Sequence, residues 1–340
     1  MNLHTGHPPL LRAADYQPPR WLHSPHLQSG LSSSPWRLRH GQRALAATGA
    51  VTTTHIVDGG DGVRLQGLHS AVPGVTPCGL ALLLHGWEGS TESSYMRTTA
   101  AQLLARGFEV FRLNFRDHGD THHLNEEVFH SNRLDEVVHA AVDVANRFAT
   151  RPLVIGGYSL GGNFALRLAL RAPAAGLSVA HVAAVCPAVD PAQVIDTLET
   201  GFGLYHWYFQ RKWVRSLKRK RELFPQRHNF DDRTLALNLR ELTRWLVEQY
   251  TDFGTLDRYF DGYNIAHDRL AALTVPTSIL TSEDDPVIPV GDLRALQLPP
   301  TATLEIATHG GHCGFLENMH GAGFAERWVA DRLAATVAMS

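Results

Sequence analysis

Residues 151–171 read RPLVIGGYSLGGNFALRLALR, and this stretch decides the fold. Arg151–Ile155 is a short apolar run, as a buried strand requires. Gly162–Arg171 reads as a helix. Between them stands Gly157-Tyr158-Ser159-Leu160-Gly161. A sharp turn from strand to helix holds a serine in a strained conformation with its hydroxyl exposed. A Cβ at position 157 or 161 would clash across that turn, so glycine stands at both. The helix N-terminus behind the serine offers backbone N–H groups and a partial positive charge, both suited to a developing oxyanion. Ser159 is therefore the candidate nucleophile.

On either side of this unit, strand and helix patterns alternate. Val51–Val57 and Val63–His69 flank Asp58-Gly59-Gly60-Asp61-Gly62 and predict a hairpin. Leu80–Leu84 is a continuous apolar run. Ser94–Arg106 reads as helix, and Phe108–Asn114 as strand. Asn132–Phe148 places Leu134, Val137, Val138, Ala141, Val142 and Ala145 at helical spacing. Strands follow at Val179–Cys186, Val275–Thr281 and Ala302–Ala307, then a helix at Ala322–Val337. The alternation predicts an α/β fold with a mostly parallel central sheet and helices on both faces. Residues 46–186 and 265–340 form this core. Residues 187–264 interrupt it as an aromatic and basic helical cap insertion, placed to cover the C-terminal strand edge. Residues 1–45, rich in Pro, His, Ser and Arg, predict an irregular arm anchored by its tryptophans.

Composition narrows the classes. The chain has 340 residues, 44% of them hydrophobic, enough for a sizeable core. A net charge of -2 gives no global field for nucleic acid. Met1–Asp15 lacks an apolar h-region, and no window approaches a membrane span. Three scattered cysteines without a C-x-x-C fit a reducing compartment, so we expect a cytoplasmic protein.

A serine hydroxyl needs a base, and the base needs an acid to orient it. Asp285 and His312 each follow a predicted strand, so both belong at the edge that carries Ser159. Asp285, before Pro286-Val287-Ile288-Pro289, is the expected acid, with Asp284 next and Glu283 also in range. Alternatively these acids cap the following helix. His312 is the expected base, and His309 a structural or rim histidine. Cys313 adjoins His312, but loop neighbours usually point apart. The Leu160 N–H is one expected oxyanion donor. The Trp87 N–H, from His85-Gly86-Trp87-Glu88-Gly89-Ser90 after Leu84, is the other, and its indole can also form a wall.

Two further stretches invite chemistry. Asp117-His118-Gly119-Asp120-Thr121-His122-His123 could bind zinc, but reads more simply as a polar loop whose groups bond one another, so no metal and no cofactor is expected. Arg211–Arg221 holds seven Lys or Arg in eleven positions, with Phe209, Trp213 and Leu217 on one helical face. It is a cap helix with a solvated basic face, or one that attracts an anionic lipid surface or an acidic substrate moiety.

Together these residues resemble the α/β-hydrolase superfamily, and within it the YheT-like branch. The likeness lies in His85-Gly86-Trp87-Glu88-Gly89-Ser90, Asn114-Phe115-Arg116, His118-Gly119, Gly157 to Asn163, Asp284-Asp285-Pro286 and Gly310 to Phe315, with Trp21 and His26-Leu27-Gln28 in the arm. It covers roughly residues 50 to 337. The resemblance implies a triad of Ser159, Asp285 and His312. It also implies carboxylic-ester hydrolysis of short- to medium-chain acyl esters or lipids, with acyl transfer to an alcohol in some members. The 117–123 loop, more acidic and histidine-rich than usual, is the departure. A non-catalytic ligand-binding protein on the same fold is the remaining alternative, and the intact triad argues against it.

Overall fold

The apolar runs become strands because both of their faces are covered. In the computed structural model, which describes residues 10–13, 15–149 and 151–338, nine strands form one sheet. They are β1 (Leu10–Arg12), β2 (Val51–Asp58), β3 (Arg64–Ala71), β4 (Gly79–Leu84), β5 (Phe108–Leu113), β6 (Leu153–Tyr158), β7 (Val179–Val185), β8 (Thr277–Ser282) and β9 (Ala302–Ala307). The spatial order is β1-β9-β8-β7-β6-β4-β5-β3-β2. Every pair from β1 to β5 in that order is parallel. The β2–β3 hairpin closes one edge antiparallel, with Val51 opposite Ala71.

Strands β4, β6 and β8 are buried along their whole length. Their alternation divides the interior into two cores. Leu80, Leu82 and Leu84 of β4 face one core, where helices Leu134–Phe148 and Leu160–Arg171 pack. Ala81 and Leu83 face the other, with helices Ser94–Leu104 and Phe324–Ala338. Each fully buried leucine contributes about 1.5–3 kcal/mol through removal from water.

The arm departs from expectation. Residues 1–9 and 14 lie outside the described residues. The rest is largely helical, with helices at Pro25–Ser32 and Pro35–Ala47. Each proline sits in the first turn, where its missing N–H costs nothing. Ser24 and Ser34 accept from the Leu27 and Arg37 N–H groups and cap these helices. Nor do the tryptophans anchor it: Trp21 and Trp36 are 42% and 38% exposed, whereas Leu22, Gln28 and Arg37 are buried. Arg37 pairs with Glu326 of the last helix. Strand β1, on the far edge beside β9, has no counterpart in the sequence reading.

Residues 187–264 carry helices at Pro191–Thr200, Gly203–Leu223, Asp232–Leu235, Leu239–Tyr250 and Leu256–Asp261. Their Trp213, Leu242 and Leu246 join the same apolar cluster as the sheet. Among the described residues, no helix is long and apolar enough to cross a membrane.

Candidate active site

Ser159 stands between β6 and the helix Leu160–Arg171 with φ at 53°, a left-handed value that a side-chain-bearing residue holds only under constraint. The constraint is contact. A Cβ on Gly157 would collide with the Gly161 carbonyl, and one on Gly161 with the carbonyls of Leu84 and His85. The turn is thus pressed against the end of β4. That approach carries the following loop to the serine: a Cβ on Gly86 would lie 3.2 Å from the Ser159 Cβ.

Asp285 follows β8, and His312 follows β9. The structure brings both to Ser159. The Ser159 hydroxyl lies 2.9 Å from His312 Nε2. His312 Nδ1 lies 2.9 Å from Asp285 Oδ2 and 3.2 Å from Oδ1. The Asp285 carboxylate is wholly buried, and the Val287 and Ile288 N–H groups donate to its Oδ1. The turn after β8 therefore orients the acid. The helix beyond it starts only at Val290, with Pro289 at its N-cap, so these acids do not cap it. Asp284 takes a different part: its Oδ1 accepts from the Gly311 N–H at 2.9 Å and holds the histidine loop. His309 stacks on His23, 4.0 Å between ring centres, and its Nδ1 approaches Asp284 at 3.5 Å.

The sequence reading missed what stands behind His312. The first arm helix packs on its loop. Ser29 Oγ accepts from the His312 N–H at 2.8 Å and donates to the Pro25 carbonyl. Gln28 Oε1 accepts from the Leu316 N–H at 2.7 Å. A signal existed in His26-Leu27-Gln28, but it gave Gln28 no partner.

Leu160 is the first residue of its helix, and Trp87 lies in the loop beside Ser159. Among the described residues, neither N–H has a hydrogen-bond partner, so both remain available as donors. The Trp87 ring also forms a wall, stacked on Phe209 at 5.5 Å and edge-on to Trp213. Behind it, the His85 imidazole is fully buried. Burial pushes it down to about 4, and it hydrogen-bonds as a neutral ring to the Gly86 carbonyl and the Phe115 N–H. His312 differs. Burial, the largest single influence, lowers it, but the Asp285 carboxylate and the neighbouring Cys313 together outweigh burial and raise it to about 9.

Ser159 borders two spaces. An apolar pocket of about 100 Å³ is lined by Leu160, Ile195, Phe209, Trp213, Leu246 and Ile288. The second, a more polar opening, holds His312, Tyr208 and Lys212 and runs into a cleft of about 660 Å³.

The loop 117–123 spends its groups on neighbours. Asp117 pairs with Lys220 at 2.5 Å, His118 Nδ1 donates to the Arg116 carbonyl, and His122 bonds Ser216. Cys313 overturns one expectation. Its thiol donates to the Val185 carbonyl at 3.8 Å, yet Cys186, His312 and Cys313 place their donor atoms within 4.8 Å of one another.

A family model described as the alpha/beta hydrolase fold matches residues 81–319. The chain is 26% identical over 251 residues to YheT of Escherichia coli strain K12, covering 69% of this chain and 70% of that protein. It is 24% identical over 252 residues to phospholipase ABHD3 of Mus musculus, covering 70% of this chain but 58% of that relative's length. Among solved structures, an esterase of Pyrococcus furiosus superposes with a TM-score of 0.55 at 13% identity over 86% of this chain and 94% of its own. A brefeldin A esterase does so with a TM-score of 0.56 at 16% identity over 95% of each chain. With its parallel sheet and its serine turn at the head of a helix, the chain belongs to the α/β-hydrolase family, and within it to the YheT-like branch.

Proposed function

We propose that this protein is a serine esterase that cleaves carboxylic esters through an acyl-enzyme. The observation that carries the reading is the continuous line of hydrogen bonds from Ser159 Oγ through His312 to Asp285, 2.9 Å at each step. Ser159 attacks the ester carbonyl while His312 Nε2 takes its proton. The Leu160 and Trp87 N–H groups receive the oxyanion. His312 returns the proton to the leaving alcohol. Water then attacks the acyl-enzyme with His312 again as base, and the acid is released. Asp285 holds the Nδ1–H tautomer and stabilises the imidazolium. No cofactor enters these steps.

The apolar pocket beside Ser159 suits short- to medium-chain acyl groups, and the phospholipase name of one relative is consistent with lipid esters. Purified protein should turn over p-nitrophenyl esters, with an optimum chain length that sizes the pocket. Ser159→Ala should lower kcat on the order of a million-fold. Undiminished turnover by that variant would rule the mechanism out. Acyl transfer is the same chemistry resolved by an alcohol, and product analysis with added alcohol separates the two.

We place the enzyme in the cytoplasm, acting on small-molecule esters or lipids and not on nucleic acid. Exposed Phe202 at the N-cap and exposed Leu204 and Trp207 in the first turns of the basic helix 203–223 favour weak contact with an anionic lipid surface. Co-sedimentation with anionic vesicles that disappears in high salt is the expected result.

A further inference from the structure

The two spaces beside Ser159 are not equivalent with respect to the base. His312 lines the polar opening but not the apolar pocket. A leaving alcohol must present its oxygen to His312 Nε2, because that atom returns the proton. The acyl chain therefore occupies the apolar pocket, and the alcohol half extends past Lys212 into the larger cleft. Lys212, Glu88 and Gly89 line both the opening and the cleft, so the path is continuous.

The cleft is cationic once its pairs are set aside. Lys212, Arg215 and Arg219 of the helix Gly203–Leu223 line it. Lys212 Nζ is fixed at the entrance by the Glu88 carbonyl, at 2.9 Å. Among the described residues, Arg219 has only a loose, exposed contact with Glu222 at 3.5 Å. The acids facing them are mostly committed. Glu92 pairs with Arg97 and Arg112, and Asp117 with Lys220. Burial raises the Glu88 carboxyl to about 8, which favours its neutral form at neutral pH. Asp120 is the exposed acid left facing the cations. The other titratable groups are His118, His122 and His123, and burial keeps the first two uncharged.

We propose that the natural ester carries an anionic group on its alcohol half, held in this cleft by Lys212, Arg215 and Arg219. The proposal rests on the esterase reading above and specifies its substrate. A carboxylate or a phosphate would satisfy the same cations, since both accept charge-assisted hydrogen bonds.

The test compares three esters with one acyl group. They are the monobutyrates of glycerol, glycerate and glycerol 3-phosphate, assayed at low salt beside p-nitrophenyl butyrate. We expect kcat/KM for at least one anionic ester to exceed that of the glycerol ester about tenfold or more, and the glycerate and phosphate arms tell which anion is preferred. Salt should erode the preference. In Arg215→Gln/Arg219→Gln the ratio of anionic to neutral kcat/KM should fall to within about twofold of unity. This ratio is insensitive to a general loss of folded enzyme. Equal or poorer turnover of both anionic esters, or a preference that survives the double variant, overturns the proposal and leaves the esterase reading standing. Hydrolysis of none of the four esters overturns both.

Discussion

Ser159 keeps a positive φ because the carbonyls of Leu84, His85 and Gly161 leave its turn no other path. At the residue scale, the balance of burial and charge on His312 sets the pH response. Only the neutral imidazole can take the serine proton. With His312 raised to about 9 by Asp285 and Cys313 together, kcat/KM should climb with pH through neutrality and level off only above that value. Asp285→Asn removes the larger of the two raising influences and leaves burial opposed only by Cys313. The rising limb should then move to lower pH, and the plateau rate should fall about 10⁴-fold, as loss of the correct tautomer does in such triads. A pH–rate profile of both proteins checks the two statements together. An unshifted limb would mean that another group titrates.

At the element scale, two contacts decide whether these residues meet. The first is the serine turn against β4. Gly161→Ala drives a Cβ into the carbonyls of Leu84 and His85. We expect a destabilisation of about 1–3 kcal/mol, read by urea denaturation, with activity lost beyond what the unfolded fraction explains. The second is the first arm helix against the His312 loop. Ser29→Ala removes the acceptor of the His312 N–H. Stability should fall by about 1 kcal/mol, and kcat should fall with little change in KM, because the base is displaced while the pockets remain. The proline pattern of the arm suggested irregular chain; serine caps before Pro25 and Pro35 convert the same residues into helix starts.

At the scale of the whole molecule, the helix Gly203–Leu223 is tied to the core by a buried ion pair. Lys220 and Asp117 are 1% and 5% exposed, and Lys220 also donates to the carbonyls of His122 and Asn125. Lys220→Met strands a buried carboxylate and should cost about 3–5 kcal/mol in urea denaturation, most of it recovered in Asp117→Asn/Lys220→Met. The basic run that reads as one solvated face is therefore divided in the structure. Lys220 is structural, while Lys212, Arg215 and Arg219 line the cleft.

The strand–helix alternation, the serine turn with its two glycines, and the chain order Ser159, Asp285, His312 were legible in the sequence alone. Each is written in local period or local backbone geometry. The choice of Asp285 over Asp284 belongs to the tertiary structure, since both follow the same strand and only the approach of His312 separates them. So does the support of His312 by Ser29, 283 residues away along the chain. So does the gathering of the Cys186, His312 and Cys313 donor atoms within 4.8 Å of one another. Contacts between distant segments leave no periodicity in either segment, and a hydrogen bond of this kind becomes visible only when the sheet has placed both ends at one edge.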